Sequence, residues 1–178
     1  MAVAAVGFLV TFPATSAHAT ADPSPYMAMN TNSRKCLEVQ GWSTGNGATV
    51  DQWDCLYNSD SVPDTNQAWR FIAVNGYYQI KNVNSGKCLE VQGWGTANGA
   101  RVDQWDCLYD GNGNPDANQL WSLGGNRFRN VNSGKCLEVQ GWGTGNGATV
   151  DQWDCLNDGN GNADTNQQWQ MFGPYFSL

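Results

Sequence analysis

The residues best able to do chemistry fall into three like groups. Glu38, Asp51 and Trp53 form the first, Glu90, Asp103 and Trp105 the second, and Glu138, Asp151 and Trp153 the third. In each, the glutamate stands two residues after a cysteine and the tryptophan two before the next. Side chains alternate along a strand. In Cys36–Val39, Leu37 and Val39 share the apolar face, so Cys36 and Glu38 share the other. Cys55 must reach Cys36 and therefore lies on that outer side; counting back by twos gives Trp53 and Asp51. A carboxylate beside an exposed indole suits a sugar. The C–H face of a pyranose packs on the ring, and a carboxylate accepts two hydroxyl protons at once. A neutral ligand offers no charge, so a few fixed hydrogen bonds must orient it. The plainer reading is a solvated acid beside a surface tryptophan. Alternation also turns Gln52, Gln104 and Gln152 toward the core, where a buried amide needs partners.

Catalytic and metal chemistry find less support. His18 is the only histidine and lies in an expected leader, so Ser-His-Asp and Cys-His mechanisms lack a base. Paired carboxylates could hydrolyse a glycoside. Catalysis, however, wants one asymmetric site with divergent pKa values, and here each carboxylate recurs three times with the same neighbours. No C-x-x-C or Cys/His clustering suggests zinc. The loops Asp110–Asp116 and Asp158–Asp164 place oxygens at alternate positions, as calcium loops do. They lack the glycine and distal glutamate of an EF-hand, and copy one has Val62 at one such position, so we read them as polar hairpin loops. No metal or cofactor is expected.

The groups repeat because the chain repeats. Asn82–Trp121 and Asn130–Trp169 are identical at 34 of 40 positions, and Asn30–Trp69 matches both almost as well. Short alternating stretches, Cys36–Val39, Val50–Cys55, Tyr77–Lys81 and Arg127–Asn130, read as strands punctuated by Gly, Asn and Asp. Helix signals are absent inside each unit. Three such copies are too few for a propeller, whereas an all-β trefoil with pseudo-three-fold symmetry fits. The cysteine pairs Cys36 and Cys55, Cys88 and Cys107, and Cys136 and Cys155 are each 19 positions apart, so each copy is expected to close its own disulfide.

Length and charge set the bounds. The chain has 178 residues and a formal net charge of −7. That balance argues against a nucleic-acid partner, and no apolar run is long enough to span a bilayer. Met1–Phe12 is almost wholly apolar, and Ala17-His18-Ala19 supplies a small-x-small cleavage pattern. Residues 1–19 are therefore expected to be a secretory signal peptide, although its basic start is missing. Disulfides agree with export. A short linker over residues 20–29 should lead into one domain over 30–178, with repeats at about 30–81, 82–129 and 130–178.

Each copy ends in Q-x-W: Gln67-Ala68-Trp69, Gln119-Leu120-Trp121 and Gln167-Gln168-Trp169. Each opens with C-L-E-V and carries Q-W-D-C between. Over residues 27–178 this resembles the ricin B-type lectin family, also seen as family-13 carbohydrate-binding modules. The resemblance implies that Trp69, Trp121 and Trp169 pack centrally while their glutamines tie down backbone. It implies that Glu38, Glu90 and Glu138 accept sugar hydroxyls and that Trp53, Trp105 and Trp153 stack. It also implies that Asn66, Asn118 and Asn166 donate. Two departures matter: the family usually has Asp at the glutamate position, and often Gln where Asp51, Asp103 and Asp151 stand. The longer glutamate should make a shallower pocket or shift the sugar. Trp42, Trp94 and Trp142, in glycine-flanked loops, could extend each sugar platform or cap the barrel. The function implied is a secreted, monomeric, non-catalytic lectin. It would have up to three equivalent pockets for galactose-type sugars or plant or microbial polysaccharide. The alternative is a trefoil that binds a protein, as an inhibitor or toxin-type subunit would, through the divergent loop Asn58–Asp64.

Overall fold

A computed structural model describes residues 23–174; the expected signal peptide lies outside the described residues. Twelve short strands appear, four per copy. Copy one holds β1 (Met27–Asn30), β2 (Cys36–Val39), β3 (Ala48–Trp53) and β4 (Trp69–Val74). Copy two holds β5 (Tyr77–Asn82), β6 (Cys88–Val91), β7 (Ala100–Trp105) and β8 (Leu120–Gly124). Copy three holds β9 (Arg127–Asn130), β10 (Cys136–Val139), β11 (Ala148–Trp153) and β12 (Trp169–Phe172).

First and last strands of the copies form the barrel. β12 pairs β1, β4 pairs β5, β5 pairs β8 and β8 pairs β9, all antiparallel. Tyr26 and Trp69 exchange backbone bonds, and Trp169 N donates to Asn126 O, which completes the ring. The hairpins β2–β3, β6–β7 and β10–β11 cap one end. There β3, β7 and β11 pair with one another in a closed triangle. This is the expected β-trefoil.

The core lies inside barrel and cap. Leu37, Val39 and Val50 are fully buried, as are their counterparts, because alternate residues of each cap strand point inward. Trp69, Trp121 and Trp169 are wholly buried, and each indole Nε1 donates to the carbonyl of Leu37, Leu89 or Leu137 at 3.0–3.1 Å. The three disulfides close as expected.

Two boundaries differ from expectation. The strand expected at Val50–Cys55 runs Ala48–Trp53 instead. Ala48 and Thr49 are drawn into the sheet by pairing with Gln104 and Asp103 of the next copy, and the chain leaves the sheet before Cys55. The expected linker over 20–29 ends earlier, because β1 already begins at Met27 to pair with β12. Short turns occur at Gln40–Trp42, where Gly41 and Trp42 take positive φ, at Thr65–Gln67 and at their counterparts, too brief for helical periodicity to mark them.

Candidate functional site

The register of each cap hairpin builds the site. Cys36 stands opposite Trp53, Leu37 opposite Gln52 and Glu38 opposite Asp51. Glu38, Asp51, Cys36 and Trp53 therefore share the outer face, as alternation required. The same pairs recur as Glu90 with Asp103 and Glu138 with Asp151. Asn66 and Gln67, from the 3-10 turn that ends each copy, pack over the hairpin. Glu38 Oε2 accepts from Gln67 Nε2 at 2.9 Å and from Asn66 Nδ2 at 3.3 Å. Gln67 also donates to Asp54 O and accepts from Leu56 N, so the Q-x-W glutamine ties down backbone and carboxylate together.

The acids are less open than the sequence suggests. Asp51 and Asp103 are fully buried, Asp151 is 3% exposed, and Glu38 is 5% exposed. Asp51 Oδ2 accepts from Gln40 Nε2 at 3.0 Å, while its Oδ1 has no partner. Asp51 thus supports the cleft floor rather than standing in the opening. Burial, and then the charge of Glu38, pushes Asp51 up to about 7. Asp151 is likewise pushed to about 7 by burial and Glu138. Asp103 rises only to about 6, because Arg101 offsets part of the effect of burial and Glu90. Burial raises Glu38, Glu90 and Glu138 as well, against the donors from the Q-x-W turn.

Asn66 differs from expectation too. Its Nδ2 donates to Glu38 and to Val39 O, and it is Oδ1 that lacks a partner. A ligand that takes a donor from Asn66 competes with those bonds, and Oδ1 is itself buried. Asn118 and Asn166 repeat this pattern.

The cleft opens above. In copy one it encloses about 340 Å3 and is lined by Glu38, Gln40, Gly41, Trp42, Trp53, Leu56 and Asn66. The third-copy cleft encloses about 420 Å3 with Trp142 and Trp153 on its wall. Trp42 and Trp53 are 47% and 38% exposed, so each rim presents two indoles. The loop tryptophans therefore face the cleft and do not cap the barrel. Trp42, Trp94 and Trp142 hold φ near +60°, each directly after a glycine also at positive φ. A bulky residue there costs on the order of 1–3 kcal/mol, a form of strain found at functional sites. Asn84 and Asn132 of the following copies bond the carbonyls of Trp42 and Trp94.

Reasoning from sequence missed the support between copies. Gln52 Nε2 donates to the carbonyls of Gly143 and Gly145, and its Oε1 accepts from Ser33 Oγ. Asn146 bonds both the backbone N and the Oδ2 of Asp54. Gly147 approaches so closely that an added Cβ would lie 3.8 Å from the Trp53 ring. The loop of copy three thus backs the stacking ring of copy one. Copy one backs Trp105 through Gly47, and copy two backs Trp153 through Gly99. The N-G-A triplet kept in all three copies was the available signal.

The acidic loops are hairpins. Asp110 Oδ1 accepts from the backbone N of Asn112 and Asn114, and Asp158 does the same for Asn160 and Asn162. Asn58 builds the same turn in copy one, so Asn58–Asp64 has no turn architecture of its own. Among the described residues no group of three His, Cys, Asp or Glu is placed to hold a metal ion.

The family model described as ricin-type beta-trefoil lectin domain-like matches residues 15–105, 65–153 and 117–178. The chain belongs to that family. The designed three-fold symmetric protein ThreeFoil is 33% identical over 84% of this chain and 98% of its own, with a TM-score of 0.68. Part of an exo-beta-1,3-galactanase from Clostridium thermocellum is 29% identical; the match covers 85% of this chain but 30% of that one, at TM-score 0.68. The C-half of the earthworm R-type lectin, solved with GalNAc, is 16% identical over 84% and 98% of the two chains, TM-score 0.63, and so supports the fold alone. A search of curated proteins returned no match.

Proposed function

We propose that this chain is a secreted carbohydrate-binding lectin or module that performs no catalysis and holds one sugar pocket per copy. The observation that carries the reading is the repeated cleft. Two exposed indoles stand over a carboxylate, Glu38, whose Oε2 is held by Asn66 and Gln67. Trp53, Trp105 and Trp153 supply the stacking face. Glu38, Glu90 and Glu138 accept hydroxyl protons, and Asn66, Asn118 and Asn166 add a polar contact. Asp51, Asp103 and Asp151 hold the floor. All six cysteines are in disulfides, which supports export after residues 1–19 are removed and leaves no thiol nucleophile. The ligands considered are galactose-type sugars or plant or microbial polysaccharide, and the working form is a monomer.

Titration of tryptophan fluorescence with galactose, xylose and their oligosaccharides tests this. The Trp53→Ala, Trp105→Ala, Trp153→Ala triple variant is expected to lose at least about tenfold in affinity while keeping its circular dichroism and melting temperature. Undiminished binding by a folded triple variant would overturn the site assignment.

A further inference from the structure

The three clefts are not equivalent where they meet the pseudo-three-fold axis. Pairing between copies sets one residue across from each buried aspartate: Thr149 faces Asp51, Thr49 faces Asp103 and Arg101 faces Asp151. Residues directly opposite in an antiparallel pair share a face and lie close together. Only the third cleft therefore has an arginine across the sheet from its floor aspartate, and the same guanidinium also acts on Asp103 of the second.

A second cavity opens there. It encloses about 330 Å3 and is lined by Thr49, Gly99, Arg101, Gln140, Thr149, Val150 and Asp151. Gln140 and Asp151 line this axial cavity and the third cleft alike, so the two adjoin. Hydrogen bonding also breaks symmetry at this point. Asp51 and Asp103 each accept from the glutamine after their own strand, Gln40 or Gln92. Gln140 also accepts from Thr149 Oγ1 and still acts as a donor toward Asp151, which is 3% exposed and held more loosely than its counterparts. Buried polar atoms seldom go unpaired. Arg101 stands at the cavity edge, one terminal nitrogen bonded to Thr49 Oγ1 and Gly47 O.

We propose that the axial cavity is a second saccharide subsite that extends the third cleft, with Arg101 and Asp151 as its recognising pair. This rests on the carbohydrate reading of the clefts. A hydroxyl both donates and accepts, so vicinal hydroxyls can donate to the Asp151 carboxylate while accepting from the Arg101 guanidinium. A neutral sugar meets both needs. A uronate would answer Arg101 but would bring its charge against Asp151, Glu138 and a chain of net charge −7. The third cleft accordingly takes two linked sugar units where the other two hold one.

Two backgrounds isolate the clefts: Trp53→Ala with Trp105→Ala leaves only the third, and Trp105→Ala with Trp153→Ala only the first. Each is titrated by calorimetry with galactose against β-1,3-galactobiose and xylose against xylobiose. In the third-cleft protein the matching disaccharide is expected to bind at least about tenfold more tightly than its monosaccharide. Arg101→Thr, which copies the residue of the other two copies, should erase that gain and leave monosaccharide affinity unchanged. In the first-cleft protein both the gain and the effect of Arg101→Thr should be absent. Equal mono- and disaccharide affinity in the third cleft, or a gain that survives Arg101→Thr, would overturn the subsite while leaving the lectin reading intact. Tighter binding of an aldobiuronic acid than of the neutral disaccharide would overturn the neutral-sugar assignment. Loss of all sugar binding in both backgrounds, with the proteins folded, would take down both readings.

Discussion

Asp51 and its counterparts are the residues whose chemistry departs furthest from what their type alone would suggest. An aspartate ordinarily titrates near 3.8, yet Asp51 and Asp151 rise to about 7 and Asp103 to about 6, first through burial and then through the facing glutamate. The folded protein therefore holds protons that the unfolded chain releases. Stability falls wherever the native state binds the more protons and pH is raised. This contribution is complete below about pH 4 and is lost as pH climbs through 6 to 7. Surface acids such as Asp54 and Asp106, held low by hydrogen bonds from lysine and asparagine, act in the opposite sense only at lower pH. We expect the melting temperature to decline between pH 5 and 7.5. The Asp51→Asn, Asp103→Asn, Asp151→Asn variant should show a flatter profile across that range in scanning calorimetry. An equally steep decline in the variant would remove these groups as its source. Face assignment was legible here, since alternation put Glu38, Asp51 and Trp53 on one side. Depth was not, because it depends on what the Asn66–Gln67 turn lays over the hairpin.

At the level of elements, the loop between the first two cap strands of each copy works for its neighbour. The Gly143–Gly147 loop satisfies the buried Gln52 amide, bonds Asp54 and stands behind Trp53. Removing a side-chain hydrogen bond costs about 0.5–1.5 kcal/mol, so Asn146→Ala should destabilise by roughly 1–2 kcal/mol. Its effect on binding should cross copies. In a protein that retains only the first cleft, Asn146→Ala should weaken sugar affinity severalfold. Asn46→Ala, whose partner is Asp106 of copy two, should leave that cleft unchanged. Equal effects of the two substitutions in fluorescence titration would refute support across copies. The strand shift from Val50–Cys55 to Ala48–Trp53 has the same origin. Ala48 and Thr49 become strand because a partner arrives from the next copy, and no property of those two residues announces it.

Across the whole molecule, three copies of the candidate site are arranged around one pseudo-three-fold axis. Linked weak sites can gain avidity of about 10²–10⁴ when geometry permits simultaneous engagement. Retention on an insoluble polysaccharide should therefore fall by much more than threefold in the Trp53→Ala, Trp105→Ala variant, while the remaining cleft keeps its affinity for a soluble oligosaccharide. A fall of only threefold on the solid would show independent sites. The disulfides and the closed triangle of β3, β7 and β11 give the array its rigidity.

The repeat, the cysteine spacing, the Q-x-W triplets and the two-residue alternation together determined the trefoil, the disulfide pairing and the outer-face residues. These are local or periodic properties, and a near-copied unit leaves few ways to close. Tertiary structure alone decided how deep the aspartates lie, that Trp42 turns toward the cleft, and which copy supports which ring. It alone set Arg101, rather than a threonine, against Asp151. The last two depend on pairing between residues some 50 to 100 positions apart, where the register of the closed sheet, and not the type of the residue, selects the neighbour.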